Sequence, residues 1–115
     1  MANFIGTEGN DTANAATGVL IGFTGGSVAE LQDNMGDFFA GGGGEDFIFA
    51  GNADELIEGG EGHDQLNGGA GSDTIYGNTE PDPSGSLIGD EIVGNDGADS
   101  LFGSSGNDVM DGGSG

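Results

Sequence analysis

Aspartates preceded by glycines recur every nine residues through much of the chain. Residues 59–67 read Gly-Gly-Glu-Gly-His-Asp-Gln-Leu-Asn, and residues 68–76 read Gly-Gly-Ala-Gly-Ser-Asp-Thr-Ile-Tyr. Glycines at the first, second and fourth places allow positive φ, so carbonyl oxygens can turn inward around a tight turn. The aspartate at the sixth place adds an anionic oxygen. Because Ca²⁺ takes about 6 to 8 oxygen ligands in a flexible cage, carbonyls and carboxylates in this pattern suit it, although one turn alone has too few.

The pattern Gly-Gly-x-Gly-x-Asp-x-U-x, in which U is a large aliphatic residue, resembles the nonapeptide repeat of RTX (hemolysin-type) calcium-binding proteins. The resemblance covers nearly the whole chain. It implies an all-β fold, namely a right-handed parallel β-roll (a β-solenoid) with two nonapeptides in each coil, and ions shared between turns n and n+2 on one edge. The last three residues of each copy then form a short strand whose middle side chain points inward. The eighth place is therefore the predicted core.

The acidic residues at the sixth place are the main candidate metal ligands. Sorting them by edge predicts one column with Asp46, Asp64, Asp82 and Asp99, and a second column with Asp37, Glu55, Asp73, Asp90 and Asp108. Glu55 replaces aspartate and is the weaker ligand, since its longer side chain requires a shift of the turn. The remaining candidate ligands are turn positions: Gly41, Gly43, Gly59, Glu61, Gly68, Ala70, Gly94, Asp96, Gly103 and Ser105. About four to six bound calcium ions are expected.

The N-terminal region departs from the pattern. Residues 6–14 match a first copy with Asp11 at the sixth place, but the next two copies, residues 15–23 and 24–31, have Leu20 and Ala29 there and are expected to bind no metal. Residues 1–31 are therefore predicted to be degenerate coils or a cap, because terminal repeats of an array are commonly atypical. Residues 32–115 are predicted to be the calcium-binding β-roll, which is expected to continue beyond residue 115 in the parent protein.

A second departure surrounds Asp82, which lies between Pro81 and Pro83. Proline cannot donate a ladder hydrogen bond, so this segment is predicted to be a bulged loop or an interrupted edge. In the two predicted columns, residues 77–84 count as one copy and residues 85–93 as the next.

The composition is strongly acidic, with 21 Asp and Glu residues, no Lys or Arg, and a formal net charge of −21. Such a chain repels nucleic acid and anionic membranes, and no apolar run is long enough for membrane insertion. Divalent cations are the natural counter-charge. A disordered, acidic, Gly-rich linker is the alternative, but the fixed register argues against it.

The N-terminus lacks the positive n-region and continuous apolar segment of a conventional signal peptide. Similarity to RTX proteins implies export by type I secretion and a secreted, extracellular or cell-surface location. The predicted function is that of a calcium-binding structural module that folds on binding Ca²⁺ outside the cell, as part of a larger protein. Self-association is also predicted, end to end through an uncapped C-terminal edge at residues 109–115.

The sequence also bears on two other functional classes. Outward aromatic residues favour an alternative, an extracellular surface-recognition or adhesion module for a polysaccharide or protein partner; they are Phe38, Phe47, Phe49, Tyr76 and Phe102. An enzyme is not predicted. The chain's one histidine, His63, occupies a variable turn position with no serine or cysteine partner motif around it, and metal binding already explains the spacing of the carboxylates.

Overall fold

The computed structural model describes residues 2–33, 35–77, 88–103 and 107–114. Within these residues the chain is almost entirely strand and turn, with one four-residue helix. The elements are β1 (Asn3–Ile5), β2 (Thr12–Asn14), β3 (Val19–Ile21), α1 (Val28–Leu31), β4 (Phe38–Gly42), β5 (Phe47–Gly51), β6 (Leu56–Gly60), β7 (Gln65–Ala70), β8 (Thr74–Tyr76), β9 (Ile88–Asp96), β10 (Ser100–Phe102) and β11 (Asn107–Asp111). No helix in this part of the chain is long and apolar enough to cross a membrane.

The strands form two sheets, and from β4 onward successive strands alternate between them. The first sheet has the order β1-β4-β6-β8-β10 and the second the order β11-β9-β7-β5-β2-β3. Every pairing is parallel except that of β2 with β3, which is antiparallel. The predicted all-β class is confirmed, and the sheets are parallel as the repeat implied.

The eighth residue of each copy forms the core between the sheets. Ile57 pairs with Phe39 in the first sheet, and Leu66 pairs with Ile48 in the second. All four side chains are buried. Since side chains alternate between the faces of a strand, the neighbours of each core residue face outward. The predicted role of the eighth place is therefore confirmed where the copies are regular.

One copy near the C-terminus is longer than the nine-residue pattern. The backbone N–H of Asp64 donates to Asp90, 26 residues later, whereas that of Asp46 donates to Asp64, 18 residues later. Gly77 lies against Asp90 in the same way that Gly59 lies against Asp64. Residues 77–93 are therefore one copy with an insertion of eight residues, and the prediction of two copies there is wrong. The predicted proline loop and Asp82 lie outside the described residues.

The N-terminal region also contains an insertion. Phe4 pairs with Phe39 and Ala13 with Ile48, at a separation of 35 residues in place of 18. The difference of 17 corresponds to residues 15–31, which form β3 and α1. β3 runs antiparallel to β2, so these residues do not continue the parallel stacking of the later copies. Their assignment as degenerate coils or a cap remains a prediction. The boundary drawn at residues 31 and 32 remains a prediction.

Candidate metal centre

Sixth-place carboxylates form two rows along the edges of the sheets. In each row, a carboxylate oxygen accepts a hydrogen bond from the backbone N–H of the sixth-place residue one coil earlier. The donor–acceptor distance is 2.9 Å from Asp46 N to Asp64 Oδ1 and 2.9 Å from Asp73 N to Asp99 Oδ1. The Asp64 row contains Asp11, Asp46, Asp64, Asp90 and Asp108. The Asp73 row contains Glu55, Asp73 and Asp99, with Asp37 at its N-terminal end.

These rows correct the predicted columns. The eight-residue insertion before Asp90 moves this residue to the edge of Asp64, and it moves Asp99 to the edge of Asp73. Asp108 follows Asp90 into the Asp64 row. The prediction placed all three on the opposite edges because it counted the Asp82 segment as a half-coil. Asp82 itself lies in the undescribed part of the chain.

The second oxygen of several of these carboxylates is buried and has no hydrogen-bond donor. These atoms are Oδ2 of Asp46, Asp64, Asp73 and Asp99, and Oε2 of Glu55. A buried anionic oxygen without a partner is costly, and a cation is the usual means of satisfying it. The chain offers no Lys or Arg for this purpose.

The first glycine of each copy makes room for this second oxygen. A Cβ built on Gly59 would lie 2.5 Å from Asp64 Oδ2, and one built on Gly68 would lie 2.1 Å from Asp73 Oδ2. Any side chain at these positions would displace the carboxylate. The first-place glycine is thus required by the same carboxylate that the pattern assigns to metal binding.

The second place of the turn is held in the left-handed region of backbone conformation. Gly60 has φ of 102°, and a Cβ there would lie 2.0 Å from the carbonyl oxygen of Gly42 in the preceding coil. Asn95 occupies the same place with φ of 74°, and its side-chain Nδ2 donates to Asn67 Oδ1. The second place of one turn thus lies directly against the backbone carbonyl of the neighbouring turn.

The repeat is also recognised by comparison with known families. The family model of the RTX calcium-binding nonapeptide repeat (4 copies) matches residues 33–66, 49–82 and 84–115, which is more than half of the chain. The chain belongs to this RTX repeat family. No curated protein and no solved structure matches it.

RTX repeats bind calcium, and the arrangement of oxygens fits this ion. Among the residues that the structure describes, no three Asp, Glu or His side chains gather into a metal site by themselves. Backbone carbonyl oxygens of the glycine turns are the other candidate ligands. Ca²⁺ accepts such mixed sets of carbonyls and carboxylates, and the unpartnered carboxylate oxygens supply the negative charge.

Burial changes the protonation of the RTX carboxylates when no cation is bound. Desolvation raises the pKa of Asp46 to about 6 and that of Asp64 to about 8. It also raises the pKa of Glu55 to about 9, with a further contribution from the negative charge of Asp73. For Asp37, Asp73 and Asp90, the pKa is likewise raised mainly by desolvation. A cation bound beside the rows would favour the charged form of these carboxylates.

The candidate ligands fall into three groups in the structure. Those in the rows or directly against them are Asp37, Asp46, Glu55, Asp64, Asp73, Asp90, Asp99 and Asp108, with the first-place glycines Gly41, Gly59, Gly68, Gly94 and Gly103. The second group is the third-place turn residues, which come between these glycines and the carboxylates in the sequence; they are Gly43, Glu61, Ala70 and Asp96. Asp82 and Ser105 lie outside the described residues.

Two members of this arrangement were missed by the analysis of the sequence. Gly77 is the first-place glycine of Asp90, and Asp11 begins the Asp64 row by donating its N–H to Asp46. Asp11 was placed in neither predicted column, because the two copies that follow it in sequence have Leu20 and Ala29 at the sixth place. The spacing along the chain identifies its partner. When residues 15–31 are left out of the count, Asp11 lies nine positions before Asp37 and therefore 18 positions, or one coil, before Asp46.

Proposed function

We propose that this chain is a structural module that folds as a right-handed parallel β-roll when it binds Ca²⁺ outside the cell. The observation that supports this most directly is the set of buried carboxylate oxygens without donors in the two rows. A net charge of −21 with no basic residue leaves external cations to neutralise them. We expect about four to six ions, each between neighbouring coils.

The module is proposed to be part of a larger protein exported by type I secretion. Extracellular calcium, in the millimolar range, then favours folding after export, because extracellular modules bind Ca²⁺ with Kd of roughly 10⁻⁴–10⁻³ M. Metal binding contributes directly to the free energy of folding when the unfolded chain has no preformed site. We propose no catalytic role for these residues.

Calcium-dependent folding can be tested by circular dichroism of the chain in chelator and in millimolar CaCl₂. We expect a spectrum of a disordered chain in chelator and a β spectrum with calcium. Mg²⁺ at the same concentration should be much less effective, because it prefers octahedral geometry and retains its waters. An unchanged β spectrum in chelator at neutral pH would contradict the proposal.

A surface-recognition role has weaker support. Tyr76 and Phe102 stack on each other with ring centroids 4.8 Å apart and an interplanar angle of 12°. This distance is close to the spacing of neighbouring strands, so the strand pairing itself accounts for the stack. Phe38 and Phe49 are half-buried. Phe47 lines a shallow groove of about 80 Å³ with Gln65 and Asn67. If Phe47→Ala lost binding to a partner while its calcium response stayed intact, this result would favour a recognition role.

A further inference from the structure

A cavity lies beside Glu55, at the edge of the sheets that carries the Asp73 row. Its volume is about 380 Å³, within the range of roughly 300–1,000 Å³ that is typical of small-molecule sites. On one side it is lined by residues 49–52 and Glu55, and on the other by residues 15, 16, 31, 32 and 35. No residue of the next turn on this edge, residues 68–73, contributes to the lining. The cavity is therefore separate from the interval between Glu55 and Asp73.

The copy that forms the first wall departs from the repeat. Ala50 stands at the first place, Ala53 at the fourth and Glu55 at the sixth, where the regular copies have glycine, glycine and aspartate. In a regular copy, a Cβ at the first place would collide with the carboxylate, as at Gly68, where it would lie 2.1 Å from Asp73 Oδ2. Ala50 carries this Cβ and is buried. The carboxyl group of Glu55, on its longer side chain, therefore has a different position in the turn.

The opposite wall also differs from a calcium-binding turn. Met35 stands at a fourth place, where the regular copies have glycine, and Leu31 and Ala15 come from the ends of the insertion at residues 15–31. Most lining residues are apolar, namely Ala15, Ala16, Leu31, Met35, Phe49 and Ala50. Because Ca²⁺ takes about 6 to 8 oxygen ligands, walls made largely of methyl, methylene and ring carbons suit the apolar part of an organic molecule better.

Glu55 is the one ionisable side chain among the described residues that line the cavity. It is 5% exposed, its Oε1 accepts the N–H of Ala53 at 3.2 Å, and its Oε2 has no donor. The chain has no Lys or Arg, so a positively charged partner must come from solution. A buried carboxylate oxygen without a donor, in a cavity that is otherwise largely apolar, favours a ligand with a cationic donor group.

The cavity is accessible from solvent. Leu31, Ala50 and Glu55 are buried, whereas four other lining residues are exposed: Ala16, Gln32, Met35 and Asn52. A ligand can therefore enter past the exposed residues and place its charged end at Glu55. The amide groups of Gln32 and Asn52 make this entrance more polar than the buried part of the cavity.

We propose that this cavity binds a small organic molecule that carries a primary ammonium group on a short alkyl chain. The ammonium group donates hydrogen bonds to the carboxylate of Glu55, and the alkyl chain packs against Leu31, Met35 and Ala50. The site goes beyond the proposed function, because it binds a different class of cation and requires only that the chain is folded. In this assignment, the unpartnered oxygen of Glu55 is satisfied by an ammonium group, and those of the aspartates are satisfied by calcium.

The test is a titration of the folded chain with n-pentylammonium chloride in millimolar calcium and at constant ionic strength. Binding is followed by the NMR signals of the methyl groups of Leu31, Met35 and Ala50, which should shift and saturate. The alcohol n-pentanol has the same chain without the charge. It should bind about tenfold more weakly or less, because hydrogen bonds between charged groups are stronger than those between neutral groups.

Three variants locate the site. Glu55→Gln keeps the size of the side chain and removes its charge, so it should bind n-pentylammonium no better than n-pentanol. Ala16→Phe places a ring at the entrance and should prevent binding of both probes without changing the calcium midpoint of folding, since Ala16 belongs to neither row. Glu45→Gln is the matched control, because it removes the same charge from an exposed position outside the cavity, and it should bind like the unmodified chain.

Equal binding by Glu55→Gln and Glu45→Gln would indicate general attraction to an acidic chain and would overturn the inference. The absence of saturable shifts in the folded chain would do the same, as would displacement of n-pentylammonium by calcium, which would make the cavity a calcium site. If Glu55→Gln does not fold, binding that persists in Ala16→Phe overturns the inference. A chain that is already folded in chelator would contradict the proposed function, and the same titration in chelator then decides the inference separately.

Discussion

Asp64→Asn should change stability in opposite directions with and without calcium. Asp64 is fully buried in the middle of its row. Its Oδ1 accepts the N–H of Asp46 at 2.9 Å, and its Oδ2 has no donor. The asparagine side chain has the same shape and retains an oxygen for Asp46, but it removes the negative charge. The substitution therefore separates the cost of burying the charge from its contribution to calcium binding.

The gain without calcium follows from the pKa of Asp64, which burial raises from 3.8 to about 8. A folded-state pKa above the unfolded value means that the folded chain binds more protons, so its stability falls as pH rises from about 4 to about 8. At pH 7 the penalty is on the order of 4 kcal/mol, at about 1.36 kcal/mol for each pH unit. A buried amide without a partner costs about 1–3 kcal/mol, so the variant should be about 1–3 kcal/mol more stable than the unmodified chain in chelator.

The loss with calcium follows from the position of Asp64 between Asp46 and Asp90, where it borders two intervals of the row. Each site contributes about 2.7 kcal/mol when calcium is 100-fold above Kd. Loss of both sites removes about 5 kcal/mol, which exceeds the gain of about 1–3 kcal/mol in chelator, so the variant should be less stable than the unmodified chain at 10 mM calcium.

The assay is urea unfolding of both chains at a series of free calcium concentrations, followed by circular dichroism and extrapolated to chelator. The two curves of unfolding free energy against calcium should cross. Asp11→Asn is the matched control, because Thr7 already donates to the Asp11 carboxylate, and it should lower stability in chelator with little change in calcium dependence. A calcium dependence of Asp64→Asn equal to that of the unmodified chain would refute the assignment of Asp64 as a ligand.

Three other results are expected. In chelator, β structure should increase as pH is lowered from 8 to 5. Burial raises the pKa of Asp46 to about 6 and that of Asp64 to about 8, so the folded state binds more protons than the unfolded state. A circular dichroism signal that does not change with pH would contradict this. In urea unfolding, Gly68→Ala should destabilise the calcium-bound chain by about 1–3 kcal/mol, because its Cβ would lie 2.1 Å from Asp73 Oδ2. Gly112→Ala is the control and should be nearly neutral, because a Cβ there would have no atom within 4 Å. Asp82→Asn should leave the calcium midpoint of folding unchanged, since the row passes from Asp64 directly to Asp90. A shift as large as that of Asp64→Asn would instead support the columns predicted from the sequence, in which Asp82 follows Asp64.

Local features of this protein could be predicted from its sequence because they repeat within nine residues. The eighth-place residues such as Ile57 and Leu66 are the buried core, and the strands around them are parallel. The glycines and aspartates indicated the chemistry of the turns, since the ability of oxygen ligands to bind Ca²⁺ depends on residue type. The family follows from the same residues.

Only the tertiary structure decided which turns stack on one another. Successive copies alternate between the two sheets, so counting one copy too many moves every later residue to the opposite edge. Counting residues 77–93 as two copies therefore exchanged the predicted rows of Asp90 and Asp99. Hydrogen bonds between residues 26 and 35 positions apart set the true register. The same holds for residues 15–31, whose antiparallel strand and buried Phe23 depend on contacts with β2 and Phe39. Such contacts join residues distant in the chain, and no periodicity within the segment specifies them.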